Sequence, residues 1–297
     1  MALLGLIIGS FLNVVIHRLP IMMKRDWRRM ARDVLEEEGG APGLDGASAW
    51  AFLRSASLLS DQIQADAACN LVSPRSRCPQ CGHVISTLEN IPLLSFLLQG
   101  GRCRHCHAPI SRRYPVVELL AGVVGGLAAF HFGFGLPALA AAVLGWALIA
   151  LAFIDLDHYL LPDDITLPVL WLGMALNFVG VLPAGLPASV GGAIAGYVSL
   201  WSVYWLFKLV TGKEGMGYGD FKLLAALGAW TGWKLLPLVI VLASAVGAIL
   251  GIAAIVLVRR DRRKPIPFGP YLACAGWIAL LYGQQLTAAY LQWAPPR

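Results

Sequence analysis

Two aspartate-bearing segments contain the residues whose types and spacing could hydrolyse a peptide bond. One segment begins with Asp155 and Asp157, and the other contains Gly217, Gly219 and Asp220. Carboxylates held close together do not ionise equally, so one can act as a base on water while the other acts as an acid toward a carbonyl. The two glycines would leave room for a substrate backbone beside the aspartate. A glycine-rich turn with an aspartate cap has the same composition, so the second segment alone does not decide between these interpretations.

Four cysteines form two CxxC pairs separated by 21 residues, a pattern typical of a structural zinc site. They are Cys78, Cys81, Cys103 and Cys106. Four thiolates can surround Zn²⁺ as a tetrahedron with no open position, so we expect the ion to stabilise a small domain rather than to act in catalysis. Reduced cysteines without metal are the alternative interpretation, and the neighbouring His83, His105 or His107 could replace one ligand.

Arginines surround these cysteine pairs, so a zinc ribbon that binds nucleic acid is another interpretation. Acidic residues are interleaved with the arginines in the same part of the chain. Together with a membrane tether, this charge balance favours a docking or folding role. We therefore expect no nucleic-acid partner.

The composition is that of a membrane protein. Of 297 residues, 58% are hydrophobic and 13% are charged, whereas soluble domains carry about 25% charged residues. This disfavours a soluble globular protein and excludes a disordered chain or a disulfide-rich secreted scaffold. Ionisable residues at membrane depth are costly and by default functional, which singles out the aspartate segments. The net charge of +6 fits basic loops that face anionic membrane lipids.

The charges divide the chain into a polar insert and an apolar body. Between Arg18 and Arg113 lie 13 of the 23 Lys and Arg residues and 9 of the 17 Asp and Glu residues. We therefore predict a first transmembrane helix at 1–17, a cytoplasmic zinc-ribbon-like domain at 18–114 and a seven-helix membrane core at 115–297, oriented by the basic loops. The fold is expected to be mainly α. Uncharged runs, two of which are long enough for two spans of about 20 residues each, predict eight helices, near 1–17, 115–133, 136–155, 164–182, 187–209, 220–233, 235–258 and 268–291.

A series of motifs extends along nearly the whole chain. From the N-terminus, they are GSFLNVVIHRLP at 9–20, SRCP, ENIP and RRYPVVE within 76–118, the aspartate segment at 155–163, and GYGD at 217–220. This series resembles the bacterial type IV prepilin peptidases. Members of that family are bifunctional leader peptidases and N-methyltransferases of the GxGD aspartic protease class. The combination of several ordered motifs makes the resemblance specific.

The resemblance implies cleavage of type IV prepilins and type II secretion pseudopilins after the Gly of a short basic leader, on the cytoplasmic side of the bacterial inner membrane. It also implies methylation of the new N-terminal residue, usually Phe, by S-adenosylmethionine. Asp220 is then one catalytic aspartate. The other is Asp155, which lies six residues before Leu161-Pro162, whereas Asp157 would point to a different helix face. The four cysteines carry over as zinc ligands, and the resemblance assigns no residue to the methyl donor.

Helix dipoles predict a division of labour within the aspartate pair. Asp220 stands at the start of a helix and is expected to be the charged base, while Asp155 stands at the end of one and is expected to carry the proton. Further acidic residues nearby could attract the basic leader over about 8 Å. They are Asp157, Asp163, Asp164 and Glu214.

Other functions stay open at this point. A transporter would need polar residues along a path through several helices, a zinc-anchored scaffold would need no aspartate pair, and a peptidase could lack methyl transfer. Residues 21–72 suggest no chemistry, although 49–63 could form a helix. The sequence does not determine which pilins are cleaved, the oligomeric state, or whether the native N-terminus lies upstream of Met1.

Overall fold

A computed structural model describes residues 1–38, 70–86, 88–213, 215–257 and 266–293. This part of the chain is helical, with two isolated β-bridges and no named strand. The α-helices are α1 (Ala2–Glu38), α2 (Leu94–Leu98), α3 (Arg113–Phe132), α4 (Leu136–His158), α5 (Asp163–Phe178), α6 (Leu186–Thr211), α7 (Tyr218–Thr231), α8 (Leu236–Leu257) and α9 (Gly269–Trp293). Short 3₁₀ turns cover Leu88–Asn90 and Trp233–Leu235. The mainly α fold class is confirmed.

The eight long helices correspond to the eight predicted ones, but α1 is much longer than expected. The predicted end at residue 17 is wrong, because the helix continues through Pro20 to Glu38. The sequence beyond Arg18 is charged, and most of its residues still favour helix, so the apolar stretch ends there while the helix does not. The possible helix at 49–63 lies outside the described residues.

Five of the helices are long and apolar enough to cross a membrane, which makes this a multi-pass membrane protein. The candidate spans are Ala2–Val34, Arg113–Phe132, Leu136–His158, Leu186–Thr211 and Trp233–Ala253. Two other helices are shorter. With 16 residues in α5 and 14 in α7, they extend about 24 and 21 Å, against a hydrocarbon core of about 30 Å.

The chain divides into two compact units. One contains Met1–Leu12 and Arg113–Arg297, and we call it the helical unit; the other, Asn13–Arg112, we call the cysteine unit. In the cysteine unit, the Arg18 guanidinium on α1 donates hydrogen bonds to the carbonyl oxygens of Asn70 and Pro74, at 2.8 and 2.6 Å. These bonds connect α1 to the segment that precedes the first cysteine pair.

Helix α7 lies at the centre of the helical unit. Ten of its side chains or glycine positions from Phe221 onward are buried, and it packs against α5, α6 and α9. The contact with α6 is made by backbone: a Cβ added at Gly192 would lie 2.2 Å from the Gly228 carbonyl oxygen, and one at Gly228 equally close to that of Gly192. Glycine is therefore required at this crossing.

Buried polar side chains hold the last turn of α7 in place. The Asn177 amide on α5 and the Ser189 hydroxyl on α6 both donate to the Ala229 carbonyl oxygen, at 2.9 and 2.6 Å. The Trp230 indole N–H in turn donates to the Val169 carbonyl oxygen of α5, at 2.8 Å. A short helix that is fixed at one end in this way can present its other end, which begins at Tyr218, in a defined position.

Candidate active site and metal centre

Asp155 lies in the last turn of α4 and is 5% exposed. Its Oδ2 atom accepts a hydrogen bond from the Gly269 backbone N–H, at 3.0 Å. Gly269 is the first residue of α9, so the donor belongs to the positive end of a helix. Helix α4 ends three residues later, at His158, and the next residue, Tyr159, adopts a left-handed φ of 55°. The first predicted aspartate is thus buried and oriented by a backbone amide.

Asp220 is the third residue of α7 and is 7% exposed. Its backbone N–H donates to the Gly217 carbonyl oxygen, at 3.3 Å. Its Oδ1 atom is buried and receives no hydrogen bond from any described residue. Because burying a polar atom without a partner is costly, such an atom in a folded protein calls for a functional explanation.

Leu161 brings the two aspartate-bearing segments together. A Cβ added at Gly219 would lie 2.8 Å from Leu161 Cβ, and one at Gly269 would lie 3.2 Å from Leu161 Cδ2. The Leu161 side chain therefore packs between the residue before Asp220 and the residue that holds Asp155. The structure places both predicted aspartates at this junction of α4, α7 and α9, within electrostatic range of each other.

The two predicted glycines differ in their surroundings. Gly219 contacts Leu161, so a larger residue there would disturb the junction. Among the described residues, a Cβ added at Gly217 would meet only the Asp220 Oδ2 atom, at 4.0 Å. The described residues therefore leave space at Gly217 beside the Asp220 carboxylate.

Acidic residues around the pair are engaged in ion pairs. Asp157 Oδ2 lies 2.5 Å from the Arg113 guanidinium, which also stacks on the Phe153 ring at 4.9 Å. Asp163 Oδ2 lies 2.6 Å from Lys222 Nζ. These pairs connect α3 to α4 and α5 to α7. They neutralise Asp157 and Asp163, two of the residues that were predicted to attract a basic leader. Asp164 is exposed, and Glu214 lies outside the described residues.

Sequence reasoning missed Gly269. The residue stands 114 positions from Asp155, and no spacing rule connects the two. A local signal was present in Pro267-Phe268-Gly269-Pro270, because proline is frequent in the first turn of a helix and glycine permits close approach. A Cβ at Gly269 would lie 2.6 Å from Asp155 Oδ2, so only glycine fits there without displacing the carboxylate.

The cysteine unit brings the four predicted metal ligands together. The sulfur atoms of Cys78, Cys81, Cys103 and Cys106 all lie within 4.8 Å of one another. Those of Cys78 and Cys106 are 3.8 Å apart. A tetrahedral ion with metal–sulfur bonds of about 2.3 Å would require about 3.8 Å between sulfurs, so the cluster fits such an ion. No histidine joins this cluster among the described residues.

The two cysteine pairs form equivalent turns. In the first, Cys78 N–H donates to the His83 carbonyl oxygen and Gly82 N–H to that of Cys78, both at 2.9 Å. In the second, Cys103 N–H donates to Ala108 and His107 N–H to Cys103, at 2.8 and 2.9 Å. A β-bridge closes each turn, between Arg77 and Val84 and between Arg102 and Pro109.

The turn geometry also prepares the first sulfur atom of each cysteine pair for metal. Backbone N–H groups of Cys81 and Gln80 point at the Cys78 sulfur and lower the pKa of its thiol to about 6. Backbone N–H groups of Cys106 and His105 lower the pKa of the Cys103 thiol in the same way. Since the thiolate is the form that ligates metal, the first cysteine of each turn is preorganised as a ligand.

Comparisons with known proteins show the family to which the chain belongs. Residues 3–132 match the family model described as the bacterial peptidase A24 N-terminal domain, and residues 142–252 match the type IV leader peptidase family. The chain is 54% identical to the prepilin leader peptidase/N-methyltransferase of Stutzerimonas stutzeri over 291 residues, which cover 98% of this chain and 92% of that protein. No solved structure matches the chain significantly.

Two further relatives carry the same name. The Pseudomonas aeruginosa protein is 54% identical over 292 residues, 98% of this chain and 92% of the relative. The Aeromonas salmonicida protein is 53% identical over 290 residues, 97% of this chain and 92% of the relative. Identity at this level over nearly full length establishes the family, and the chain belongs to the type IV leader peptidases, a family of enzymes.

Proposed function

We propose that this enzyme removes the leader peptide from type IV prepilins and type II secretion pseudopilins and then methylates the new N-terminus. Cleavage follows a Gly at the cytoplasmic face of the bacterial inner membrane, and the methylated residue is usually Phe. The observation that supports the peptidase most directly is the meeting of two buried aspartates at three helix ends, with Gly217 open to one side. The relatives' names support both activities.

Hydrogen bonding favours the opposite assignment of base and acid from the one expected from the dipoles of α4 and α7. Asp155 Oδ2 accepts the Gly269 N–H at the start of α9, which stabilises a carboxylate there. Asp220 Oδ1 is buried without a donor among the described residues, which favours the neutral acid. Asp155 is therefore the proposed base and Asp220 the proposed acid.

The proposed reaction balances with one water and no other reactant. The Asp155 carboxylate takes a proton from water, whose oxygen bonds to the scissile carbonyl carbon while the Asp220 proton moves to the carbonyl oxygen. Asp155 then gives its proton to the nitrogen as the C–N bond of the tetrahedral adduct breaks, and one hydroxyl group of the adduct returns a proton to Asp220. The products are the leader with a free carboxyl group and the mature pilin with a free amine.

Zn²⁺ is the ion that we propose for the four cysteines, with a structural role. Four thiolates complete its tetrahedral shell and leave no position for substrate. Cys78, Cys81, Cys103 and Cys106 would hold it. S-adenosylmethionine supplies the methyl group in the second activity. Substrate helices and lipids are the partners that the apolar spans would contact in the membrane.

Leader cleavage by Asp155→Asn and Asp220→Asn variants tests the aspartate pair. Both substitutions preserve the size of the side chain. Asp155→Asn removes the proposed base and Asp220→Asn the proposed acid, so each should lower the turnover number by at least about a thousandfold. Asp164→Asn is the matched control, since Asp164 is exposed near the same junction and should leave cleavage unchanged. Mass spectrometry of the processed pilin measures the cleavage position and the methyl group together. Retained cleavage by either variant contradicts the proposal, and cleaved but unmethylated pilin restricts it to the peptidase.

A further inference from the structure

We propose that a cavity on the cysteine unit binds the methyl donor by its amino-acid end, with Arg104 receiving the carboxylate and Glu89 the ammonium group. This cavity is a surface depression that is largely open to solvent, with a volume of about 410 Å³, and it is lined by His83, Ser86, Glu89, Arg104 and His105. The ligand class is a nucleoside joined to an α-amino acid, which includes S-adenosylmethionine and its demethylated product. This inference rests on the methyltransferase half of the proposed function.

Glu89 is a preorganised carboxylate rather than a mobile surface acid. Its side chain is 11% exposed, and its Oε2 atom accepts hydrogen bonds from the Ser86 backbone N–H and hydroxyl, both at 2.9 Å. His83 Nε2 lies 3.3 Å from the same oxygen. The backbone N–H of Ser86 is the main reason that the pKa of Glu89 lies below its usual value. These contacts from described residues are all made by Oε2, so among the described residues Oε1 is the oxygen that can receive a ligand donor.

The wall of the cavity is built from both cysteine turns. His83 follows Cys81, while Arg104 and His105 lie between Cys103 and Cys106. The His83 and His105 rings meet edge to face, with centroids 5.5 Å apart and an interplanar angle of 89°. Since the four sulfur atoms would share one ion, metal binding would fix the two turns, and with them the spacing between Glu89 and Arg104.

The charges of the lining select among ligands. A carboxylate and a guanidinium that line the same cavity complement a zwitterion, whereas the same carboxylate disfavours a nucleotide polyphosphate. The imidazole rings offer flat surfaces on which a purine can stack. The volume lies within the range of small-molecule sites, about 300–1,000 Å³. These properties together describe a ligand that has a zwitterionic end and an aromatic end.

Calorimetric titration of the purified full-length, zinc-loaded enzyme with S-adenosylhomocysteine tests the site without turnover. Arg104→Gln and Glu89→Gln should each weaken binding by about tenfold or more, as expected for loss of a hydrogen bond between charged groups. Arg102→Gln is the matched control, because Arg102 is exposed on the same turn and does not line the cavity. It should change the Kd by less than about twofold. Zinc content and leader cleavage are measured for every variant and should stay at wild-type values.

The outcomes separate this inference from the proposed function. If wild type binds the probe and both variants bind equally well, the donor site is elsewhere and the inference is wrong, while methyl transfer stands. If methionine alone binds as tightly as S-adenosylhomocysteine, the cavity is a general amino-acid site, which also overturns the inference. If wild type neither binds the probe nor methylates a cleaved pilin, the proposed second activity itself is wrong. Should Glu89→Gln lose zinc, Arg104→Gln alone decides the result.

Discussion

At the scale of single residues, the proposed chemistry depends on the protein groups that surround each carboxylate. Asp155 and Asp220 are buried to nearly the same extent, at 5% and 7% exposure. They differ in hydrogen bonding, since one has a backbone donor and the other a buried oxygen without one among the described residues. The contact that distinguishes them comes from a third helix. For this reason the dipoles of α4 and α7 alone gave the opposite expectation.

Gly269→Ala should lower the turnover number for leader cleavage by about a hundredfold and leave the KM for prepilin nearly unchanged. The added Cβ would lie 2.6 Å from Asp155 Oδ2, so the carboxylate must move, and a displacement of about 1 Å at a reacting group costs about this much. Steady-state kinetics on a purified prepilin measure both parameters.

Gly126→Ala in α3 is the control for that experiment. A Cβ at Gly126 would meet only Ala2 Cβ, at an ordinary contact distance of 3.6 Å, so its kinetics should match wild type. A turnover number unchanged in Gly269→Ala would mean that the contact with Asp155 has no part in the reaction.

At the scale of helices, the position of Asp220 depends on how closely α6 and α7 approach. Their backbones touch at Gly192 and Gly228, where a Cβ would lie 2.2 Å from the opposite carbonyl oxygen. This contact explains how a helix of 14 residues is held at the centre of the unit. Ion pairs at the helix ends add less, because Lys222 and Asp163 are both partly exposed, and such pairs contribute about 0–1 kcal/mol.

Gly192→Ala should destabilise the protein by about 1–3 kcal/mol, the usual effect of overpacking a tight contact. Thermal unfolding in detergent measures the loss, and leader cleavage should fall with it as α7 shifts. Gly191→Ala is a closely matched control one residue away, since its Cβ would lie 3.7 Å from Trp233 Cδ1. Equal unfolding temperatures for the two variants would contradict the role given to the glycine contact.

At the scale of the whole molecule, two compact units have different sources of stability. The helical unit buries a continuous apolar core around α7, whereas the described residues of the two cysteine turns, within 70–112, have few buried side chains. Small domains without a large core are usually stabilised by metal or disulfides. The cysteine cluster therefore takes the place of a core in these two turns.

Cys78→Ser combined with Cys103→Ser should release the metal and unfold the two turns, because structural zinc contributes folding energy directly. Metal analysis should fall from one ion per chain to none, and limited proteolysis should cut within 70–112. Cys274→Ser is the control, as Cys274 lies on α9 outside the cluster. Purified wild type without zinc would contradict the metal assignment.

The sequence alone determined the features that depend on composition and local spacing. Apolar runs predicted the long helices, and paired cysteines predicted the metal cluster. Short motifs predicted Asp155 and Asp220 as the aspartate pair. Such features are local because hydrophobic periodicity, turns and ligand spacing act over a few residues. The same local rule failed at α1, where charge marked the end of the apolar stretch but the helix continued to Glu38.

Only the tertiary structure decided which groups surround the predicted residues. It brought the Gly269 amide to Asp155 across 114 positions, packed Leu161 against Gly219, and placed Glu89 and Arg104 on one cavity. These contacts follow from the packing of helix ends and turns that are distant in the chain. Hydrogen bonding and burial determine which carboxylate holds a proton, and both depend on three-dimensional neighbours that spacing along the sequence does not specify.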